Sequence, residues 1–410
     1  MLQTVKAESP VYGGYAIARD GKVIFIKGAI PGELVEVSID ERKKDYLLAS
    51  VRNVLDPSSF RREPPCKIFS LCGGCQLQFM EYERQVSIKE EIILDTMRRI
   101  GGLDIQLMPS LVDREFRYRH RCQFKVSSKG EIGYFREGTR DVMPVDECPV
   151  VVDEINVLLR KLNTLDLRGL KEVHVIAGDT IALLIRGNLS EDLTGQLMEI
   201  GVSGIAFDNG QSLGKDYITL DLNGLQYSVT PWSFFQSHWA LNRKVVETFV
   251  NRLASLEDKR VLDLYAGAGN FSLPLSMTAK EVRAVEENCY AVEDGKRNAM
   301  MNGIKNCTFL HAPVGDALTT GNRQKAAKLF GDSPFDVVVL DPPRPGLSSD
   351  ALKKVVEMGS EKVVYVSCNP ATLARDTKKM RERYDLESLC LIDFFPNTYH
   401  VEALAVLGRK

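Results

Sequence analysis

The second half of the chain carries the pattern that most restricts its fold. From Ser233 onward, short apolar runs are separated by segments of helix length, and the runs read RVLDLY, EVRAVE, NCTFLHA, FDVVVLD and KVVYVSC. Strands that alternate with helices in this way predict an α/β fold with a doubly wound parallel sheet. The last two runs, LCLIDFF and HVEALAVL, are joined by a short Pro-Asn-Thr link. A link of that length favours antiparallel pairing of the last two strands.

The first half of the chain predicts two further domains. A chain of 410 residues has room for about two or three domains of roughly 150 residues each. Residues 1–57 contain short β-rich runs between Gly and Pro turn signals, which predicts a small N-terminal β-barrel. Residues 58–232 combine helical spacing over 81–100 with several strand-like runs, which predicts a mixed α+β central domain. Residues 233–410 then form the α/β domain.

Charge and hydropathy exclude several classes of protein. The chain has 53 Lys and Arg against 55 Asp and Glu, a formal net charge of -2, so a nucleic acid would have to be bound by a local patch. No apolar run approaches the roughly 18 residues of a membrane span, and the N-terminus lacks a signal-peptide pattern. We therefore expect a cytoplasmic protein with no membrane partner. No pattern indicates a dimer interface, so we expect a monomer.

Glycines and carboxylates at the predicted strand ends indicate a cofactor site. DLYAGAGNF places Gly267 and Gly269 in the turn after a strand, where glycine lets the backbone approach a ligand closely. An NAD site would have a third glycine where Ser272 stands. Glu286 ends the next strand, where a carboxylate can accept hydrogen bonds from ribose hydroxyls, and the same logic places Asp316 near an adenine. This outline is typical of an S-adenosylmethionine-dependent methyltransferase.

The fourth strand of this domain ends in Asp341-Pro342-Pro343-Arg344. Ligands of such sheets bind at the carboxyl ends of the strands, so Asp341 is expected to face the reaction space. Methyltransferases that act on exocyclic amines use DPPY-like loops, in which an aromatic ring stacks on the base. Arg344 replaces that aromatic residue, and amine methylation is therefore less favoured.

A thiol and a second carboxylate follow at the same predicted edge. Cys368 ends the fifth strand, and Glu402 lies two residues after His400 on the last one. A strand-end cysteine alone is more often a packing residue than a nucleophile. Together with Asp341, however, this set suits methylation of a pyrimidine at carbon 5. Cys368 would add to carbon 6, which makes carbon 5 nucleophilic, and Glu402 would later accept the carbon 5 proton.

A cysteine cluster predicts a metal site. Cys66, Cys72 and Cys75 form C-x5-C-x2-C, and Cys148 follows in a Cys-Pro context. Four thiolates suit either a tetrahedral zinc ion or an iron–sulfur cluster, and spacing alone leaves the choice open. Gly73 and Gly74 free backbone amides for hydrogen bonds to sulfide, which favours iron–sulfur.

Two tracts are candidates for contact with RNA. Residues 116–125 read FRYRHRCQFK, and a strand there would place its basic residues on one face toward phosphates. Residues 231–236 read PWSFFQ and offer aromatic rings for base stacking. A solvated strand face and a packed core are the alternatives for the two tracts.

Taken together, these motifs resemble the RNA uridine-5-methyltransferase family that carries an iron–sulfur cluster and an N-terminal TRAM domain. FFQ, DLYAGAGNF, DPPRPGL, SCNPATLARD and FPNTYHVE match the family blocks in order, and the four cysteines match its cluster ligands. The likeness covers nearly the whole chain. It implies a TRAM RNA-binding barrel, a Rossmann-like class I methyltransferase sheet, bound S-adenosylmethionine and a [4Fe-4S] cluster held by Cys66, Cys72, Cys75 and Cys148.

The resemblance also implies roles for individual residues. Cys368 is then the nucleophile and Glu402 the proton acceptor, while Asp341 serves the cofactor, the substrate or both. The S-adenosylmethionine contacts that it implies are Gln236, Tyr265, Asn270, Glu286, Asp341 and, less directly, Asp316. Two departures from the family pattern are Ala266 in place of a cysteine and Asn397 in place of a histidine.

The sequence therefore predicts an enzyme that methylates carbon 5 of a specific uridine in structured RNA, with 23S rRNA as the first candidate. The alternatives are methylation of a uridine in the tRNA T-loop, methylation at another base position, and a noncatalytic iron–sulfur protein that binds RNA.

Overall fold

The computed structural model describes residues 2–253, 255–319 and 333–410. The N-terminal strands are β1 Leu2–Lys6, β2 Ser9–Val11, β3 Tyr15–Asp20, β4 Lys22–Lys27, β5 Leu34–Arg42 and β6 Tyr46–Asp56. They form one sheet in the order β1-β5-β6-β4-β3-β2. Because Ala7 and Glu8 alone separate β1 from β2, the chain joins the two edges of this sheet and rolls it into a barrel around an apolar core. We call this module the N-terminal barrel.

The central region begins with a helix and continues into a second sheet. Its helices are α1 Tyr82–Thr96, which continues as a π-helical turn Met97–Gly101, α2 Asp153–Leu162 and α3 Glu191–Glu199. Its strands are β7 Arg121–Val126, β8 Ile132–Phe135, β9 Val142–Pro144, β10 Leu170–Ala177, β11 Ile181–Gly187, β12 Gly204–Phe207, β13 Ser212–Gly214, β14 Ile218–Leu222 and β15 Leu225–Val229. The sheet has the order β13-β12-β11-β10-β7-β8-β9, and its pairs are antiparallel except for β11 with β12.

The expected strand over residues 116–125 forms only in part, because β7 begins at Arg121. Arg117 has a φ of 53°, a left-handed conformation that interrupts an extended run. The backbone amides of Tyr118 and Arg119 instead donate to the carbonyl of Val150. The turn at Arg117 therefore interrupts the continuous basic face that a strand over the whole tract would give.

The C-terminal domain is a doubly wound sheet with an antiparallel last strand, which confirms the fold class predicted from the sequence. Its strands are β16 Arg260–Leu264, β17 Glu281–Glu286, β18 Cys307–His311, β19 Val337–Leu340, β20 Lys362–Ser367, β21 Tyr384–Ile392 and β22 Glu402–Arg409. The helices that follow or precede them are α4 Trp239–Arg252, α5 Ser272–Ser276, α6 Cys289–Met301, α7 Val314–Thr319, α8 Ser349–Met358 and α9 Pro370–Met380.

This sheet has the order β18-β17-β16-β19-β20-β22-β21, in which β22 runs antiparallel to both of its neighbours. The central strands are apolar on both faces, and each face packs into its own buried cluster. That two-sided burial explains why the strands read as continuous apolar runs in the sequence. Within the part of the chain that the structure describes, no helix has the length and apolar character needed to cross a bilayer.

Buried contacts fix the N-terminal barrel against the rest of the molecule. Ile30, in the loop between β4 and β5, is fully buried in the same apolar cluster as Met80, Ile92 and residues of the C-terminal sheet. Glu33 is buried as well and accepts hydrogen bonds from Arg61 in the linker that follows the barrel. The barrel is therefore packed onto the C-terminal domain through buried apolar contacts and is tied to the linker by the Glu33–Arg61 ion pair.

Candidate active site

A cavity of 390 Å³ opens at the carboxyl ends of β16, β17, β19 and β20. Because β22 runs antiparallel to β20, its first residue lies at the same edge of the sheet. Six of the residues singled out in the sequence line this cavity: Gln236, Tyr265, Glu286, Asp341, Cys368 and Glu402. The topology of the sheet thus brings together groups that are up to 166 positions apart in the sequence, from Gln236 to Glu402.

Glu286 forms the acidic corner of one half of the cavity. Its Oε2 accepts a hydrogen bond of 2.9 Å from the Gly267 amide, and its Oε1 accepts one of 2.8 Å from the Asn288 amide. Asn288 also caps α6, since its side chain accepts from the amides of Tyr290 and Ala291. A carboxylate held by backbone amides in this way keeps lone pairs available for a ligand's hydroxyl groups.

The turn after β16, the strand that pairs with β17, brings the backbone close to the same corner. Tyr265 and Gly267 have φ values of 66° and 55°, so the chain turns sharply after β16. Gln236 is buried opposite this turn, and its Oε1 has no hydrogen-bond partner among the described residues. An unpaired buried amide oxygen beside a cavity is costly unless a ligand or water satisfies it. This half of the cavity therefore fits a polar cofactor that carries hydroxyl and amino groups.

Two of the predicted cofactor contacts lie outside the lining of this cavity. The side chains of Asn270 and Asn242 donate to each other over 2.7 and 3.1 Å, which ties the loop after β16 to α4. Asp316 is exposed in the first turn of α7. Neither Asn270 nor Asp316 lines the cavity. Their assignment as cofactor contacts stays a prediction.

The other half of the cavity contains the thiol. Cys368 follows β20 and immediately precedes a helix start, where the Asn369 side chain accepts from the Ala371 amide and Pro370 occupies the first turn. Ser367 Oγ accepts from the Asn369 amide at 3.2 Å, which fixes the turn that carries the thiol. Asn and Pro at these positions are the residues expected at a helix N-terminus.

Burial and neighbouring carboxylates raise the pKa values of the acidic groups around the thiol. The pKa of Glu402 is raised to about 8, first by burial and then by the negative charges of Asp341 and Asp393. Burial, followed by the charges of Asp263 and Glu286, raises the pKa of Asp341 to about 7. Carboxyl groups that share a buried site cannot all ionise at low pH, so protons remain in this half of the cavity near neutrality.

The Cys368 thiol responds to the same environment. Its pKa is raised to about 11, mainly by burial and then by the charges of Glu402 and Asp341, while Arg344 opposes the shift. Arg344 also lines the cavity and lies 3.1 Å from Nδ1 of His400. Burial and the Arg344 charge lower the pKa of His400 to about 4, so this ring is neutral at physiological pH. The site therefore combines a protonated thiol, two carboxyl groups and one cation.

A second cavity is lined by the four cysteines of the cluster motif, namely Cys66, Cys72, Cys75 and Cys148. Its volume is 50 Å³, which exceeds the roughly 10–15 Å³ that one water molecule occupies on the same measure. Burial raises the pKa of the Cys75 thiol to about 12 and that of Cys72 to about 11. Within the described ranges, however, no three His, Cys, Asp or Glu side chains are grouped as ligands of a metal ion.

Comparison with known families decides the class of the protein. The family model described as tRNA (Uracil-5-)-methyltransferase matches residues 184–410, more than half of the chain. The chain belongs to this tRNA (uracil-5-)-methyltransferase family. It is therefore an S-adenosylmethionine-dependent RNA uracil-5-methyltransferase, as predicted from the sequence. A TRAM domain model matches residues 3–51, which confirms the assignment of the N-terminal barrel of this methyltransferase.

Relatives of this methyltransferase match it along its whole length. An uncharacterized RNA methyltransferase of Aquifex aeolicus is 33% identical over 98% of this chain and 97% of its own. The 23S rRNA (uracil(1939)-C(5))-methyltransferase RlmD of Vibrio parahaemolyticus is 34% identical over 100% of this chain and 96% of its own. Among solved structures, the Pyrococcus abyssi tRNA (uracil-54, C5)-methyltransferase in complex with S-adenosyl-L-homocysteine has a TM-score of 0.76 and 25% identity, and covers 99% of this chain and 100% of its own.

Sequence reasoning missed two features of the methyltransferase site. The sequence indicates only that Arg344 replaces a stacking residue. In the structure its guanidinium lies against His400 and lowers the pKa of the thiol. The second feature is Lys89, a buried residue of α1 that donates to Asp393 at 2.7 Å behind Glu402. A lysine in a predicted helix carries no local signal of burial, so the sequence offered no means to find this pair.

Proposed function

We propose that this methyltransferase modifies carbon 5 of a uridine in 23S rRNA through a covalent adduct between Cys368 and carbon 6. The observation that carries the proposal is that Cys368, Glu402 and Asp341 line one cavity together with Glu286. A uracil in this cavity would lie between the thiol and the last strand, while the Glu286 corner takes the cofactor. This arrangement has a nucleophile, a proton acceptor and a cofactor corner at one edge of the sheet.

The first step is addition of the thiol. Carbon 5 of uracil is a poor nucleophile, and bond formation between Sγ of Cys368 and carbon 6 moves electron density onto carbon 5 and O4. The thiol is protonated in the free protein because its pKa is about 11. Its proton therefore leaves as the carbon–sulfur bond forms, and we assign it to Asp341, whose pKa is raised to about 7. Arg344 stabilises the thiolate character that develops at sulfur.

Glu402 acts after the methyl group has been transferred. The tetrahedral carbon 5 then carries both a methyl group and a hydrogen, and Glu402 accepts this hydrogen as a proton. The electron pair of the carbon–hydrogen bond restores the ring double bond and expels Cys368. A carboxylate with a pKa of about 8 is a strong enough base for this step and is available near neutral pH.

The residues of the Glu286 corner fit S-adenosylmethionine, which supplies an electrophilic methyl group when bound. Glu286 is placed to accept hydrogen bonds from ribose hydroxyls, since its two oxygens are already oriented by the amides of Gly267 and Asn288. Gln236 offers an unpaired, buried Oε1 to a donor of the ligand. Tyr265 forms the wall of the cavity at the turn after β16.

The choice of 23S rRNA is supported by sequence likeness over the full length. Relatives at 34% identity that span the whole chain are named for uracil 1939 of 23S rRNA. The second candidate is the tRNA T-loop, because the Pyrococcus abyssi enzyme of known structure is named for uracil 54 of tRNA. Transcripts of the two RNAs, tested side by side, separate the candidates.

We further propose that Cys66, Cys72, Cys75 and Cys148 hold a [4Fe-4S] cluster. Four thiols around one cavity of 50 Å³ are a donor set for a group of several atoms. The cluster would join the cysteine loop to the central domain and transfer no electrons in the methylation.

Trapping with 5-fluorouridine tests the reaction. Fluorine does not leave carbon 5 as a proton does, so a methylated adduct on Cys368 should survive denaturation. We expect a complex that depends on S-adenosylmethionine, maps to Cys368 by mass spectrometry, and disappears in Cys368→Ala. Cys289→Ala is the matched control, because Cys289 is exposed and lies outside the cavity lining. Methylation by Cys368→Ala would overturn the mechanism, and methylation of neither RNA by the wild type would overturn the choice of substrate.

Two further properties follow from an rRNA substrate and remain proposals. A bacterial rRNA is made and modified in the cytoplasm, so we place the protein there. We propose that it works as a monomer, because one chain supplies every residue assigned to the reaction. Light scattering of the purified protein, alone and with RNA, measures the oligomeric state directly.

A further inference from the structure

An exposed tyrosine of the N-terminal barrel lies beside the active-site cavity. Tyr12 follows β2 and is 40% exposed. Its ring meets the ring of Tyr399 edge to face, with centroids 5.9 Å apart and an angle of 86° between the planes. Tyr399 precedes Glu402 by three residues, so the barrel contacts the segment that leads into the last strand of the catalytic sheet.

The position of Tyr12 is fixed by the packing of its own turn. Gly13 and Gly14 follow it with φ values of 104° and 82°, which other residues rarely adopt. A Cβ atom on Gly14 would lie 3.3 Å from Cβ of Tyr399 and 3.4 Å from Cβ of Gln76. The turn therefore lies directly against the catalytic half, and Tyr12 is presented from a fixed point rather than from a free loop.

A continuous line of contacts leads from Tyr12 to the reacting groups. The rings of Tyr399 and His400 have centroids 4.5 Å apart, and His400 lies 3.1 Å from the Arg344 guanidinium, which lines the cavity. The electrostatics agree with this short path. The pKa of the Tyr12 hydroxyl is raised mainly by burial; the Arg344 charge opposes this shift, and the charges of Tyr399, Cys368 and Glu402 add to it.

A second exposed ring lies at the cavity on the catalytic domain itself. Phe234 is 57% exposed and lines the cavity, and Arg121 lies 5.6 Å from its ring centroid. Arg121 also donates to the carbonyl of Ser233 at 2.8 Å, which fixes the backbone that carries this ring. Two exposed aromatic residues thus lie near the cavity, Tyr12 from the N-terminal barrel and Phe234 from the catalytic domain.

We propose that Tyr12 is a stacking surface for the base next to the target uridine, so that the N-terminal barrel positions the substrate at the reaction centre itself. The inference rests on the proposed function, because it requires a uridine of an RNA chain at Cys368. A base that enters such a cavity must leave its stack, and its neighbour in the chain loses a stacking partner. An exposed aromatic ring at the edge of the cavity replaces that partner. The ligand of this subsite is a nucleobase of single-stranded RNA.

The test combines substitutions at Tyr12 with abasic nucleotides in the RNA. Tyr12→Ala should raise KM for RNA about 5- to 150-fold, the factor that corresponds to the 1–3 kcal/mol of one stacked base. Tyr12→Phe keeps the ring and should restore a KM close to that of the wild type. The affinity for S-adenosylmethionine should not change in either variant, and the thermal unfolding midpoint should fall by no more than a few degrees in Tyr12→Ala, which loses the edge contact with Tyr399. Leu2→Ala is the matched control, because Leu2 is 51% exposed on the same barrel.

The RNA side of the test assigns the stacked position. Abasic nucleotides are placed one at a time on each side of the target uridine, and KM is measured with the wild type and with Tyr12→Ala. At one flanking position an abasic nucleotide should raise the KM of the wild type by the same factor as Tyr12→Ala does with intact RNA. At that position the two changes together should raise KM no further than either one alone. Fully additive losses at every position, or an unchanged KM in Tyr12→Ala, would overturn the inference. Failure of the wild type to methylate either rRNA or tRNA would overturn the proposed function instead, and with it this subsite.

Discussion

Glu402 is a carboxyl group whose surroundings oppose its ionisation. It is 8% exposed, and the charges of Asp341 and Asp393 add to the effect of burial in raising its pKa to about 8. Lys89 and Arg344 oppose this shift, and Lys89 is itself held by Asp393 at 2.7 Å. A base of this strength is half ionised at about pH 8, and its ionised form accepts a proton from carbon more readily than an exposed glutamate would. The residue is thus suited to the slow proton transfer that releases the product.

Glu402→Gln should stop the reaction after methyl transfer. An amide cannot accept the carbon 5 proton, so the methylated adduct with Cys368 should accumulate on ordinary uridine RNA and turnover should fall by about 10²- to 10⁴-fold. Denaturing gels with a labelled methyl donor measure the trapped complex. The double variant Cys368→Ala, Glu402→Gln should form none. Normal turnover by Glu402→Gln would show that another group removes the proton.

The pH dependence of activity should follow the ionisation of the same residue. Glu402 must be ionised to act as a base, is protonated below its pKa of about 8 and acts after methyl transfer, so kcat should rise as the pH increases through that value. Arg344 lowers the pKa of both Glu402 and Cys368. In Arg344→Gln the rise should therefore move to higher pH by about 0.5–1 unit. A profile that stays in place, or moves to lower pH, would contradict the assignment of these groups.

At the scale of the elements, the segment that joins β21 to β22 fixes the position of Glu402. Asn397 lies in this segment, is fully buried and has a φ of 65°. Its carbonyl accepts from the amides of Gln76 and Leu77 at 2.9 and 3.0 Å. Its amide donates to Gln85 Oε1 at 2.8 Å, and its side chain accepts from Gln85 Nε2 and donates to the Glu115 carbonyl. The loop after the cysteine motif and α1 thus hold the start of the last strand.

Asn397→Ala should lower the free energy of unfolding by about 2–4 kcal/mol, because two buried side-chain hydrogen bonds are lost and alanine is strained at positive φ. Asn397→Gly loses the same hydrogen bonds but tolerates the φ, so it should be about 1 kcal/mol more stable than the alanine variant. Urea unfolding of the two variants measures the difference. Equal stabilities would mean that the backbone conformation contributes nothing at this position.

The elements of the catalytic sheet could be predicted from the sequence, whereas the contacts between distant elements could not. The central runs between RVLDLY and KVVYVSC are apolar on both faces, and three of them end in Glu286, Asp341 and Cys368, so the fold fixes which edge receives each group. The hydrogen bonds between Gln85 and Asn397 join residues 312 positions apart, and neither residue has a local pattern that indicates a partner. For the tract over 116–125, alternation predicted a strand, but Arg117 has a positive φ and its amide donates to the carbonyl of Pro149, a tertiary contact that alternation does not indicate.

At the scale of the whole molecule, three parts of the chain converge on the segment before Glu402. The barrel contacts it through Gly14 and Tyr399, the loop after Cys75 through Gln76, and the cysteine cavity through Thr398, which lines it. The sequence predicted the barrel, the cysteine motif and the catalytic sheet as separate units. The sequence did not predict that these units meet at one segment, because the contacts are made largely by backbone groups and small side chains.

This convergence leads to a prediction for the cysteine site. Cys75→Ser should lower the iron content and the visible thiolate-to-iron absorption of anaerobically purified protein, and should lower the thermal unfolding midpoint by about 5 °C or more. Binding of S-adenosylmethionine should remain, because the Glu286 corner is built by the sheet and by the amides of Gly267 and Asn288.

Cys289→Ser should match the wild type in each of these measurements, since Cys289 is exposed and lies outside the cysteine cavity. If the wild-type protein contained zinc and no iron, the four cysteines would hold a single zinc ion and not a cluster. If Cys75→Ser instead lost its iron with an unchanged unfolding midpoint, the cluster would not support the fold. Its ligand loop would then hold the segment before Glu402 through the Gln76 and Leu77 amides alone.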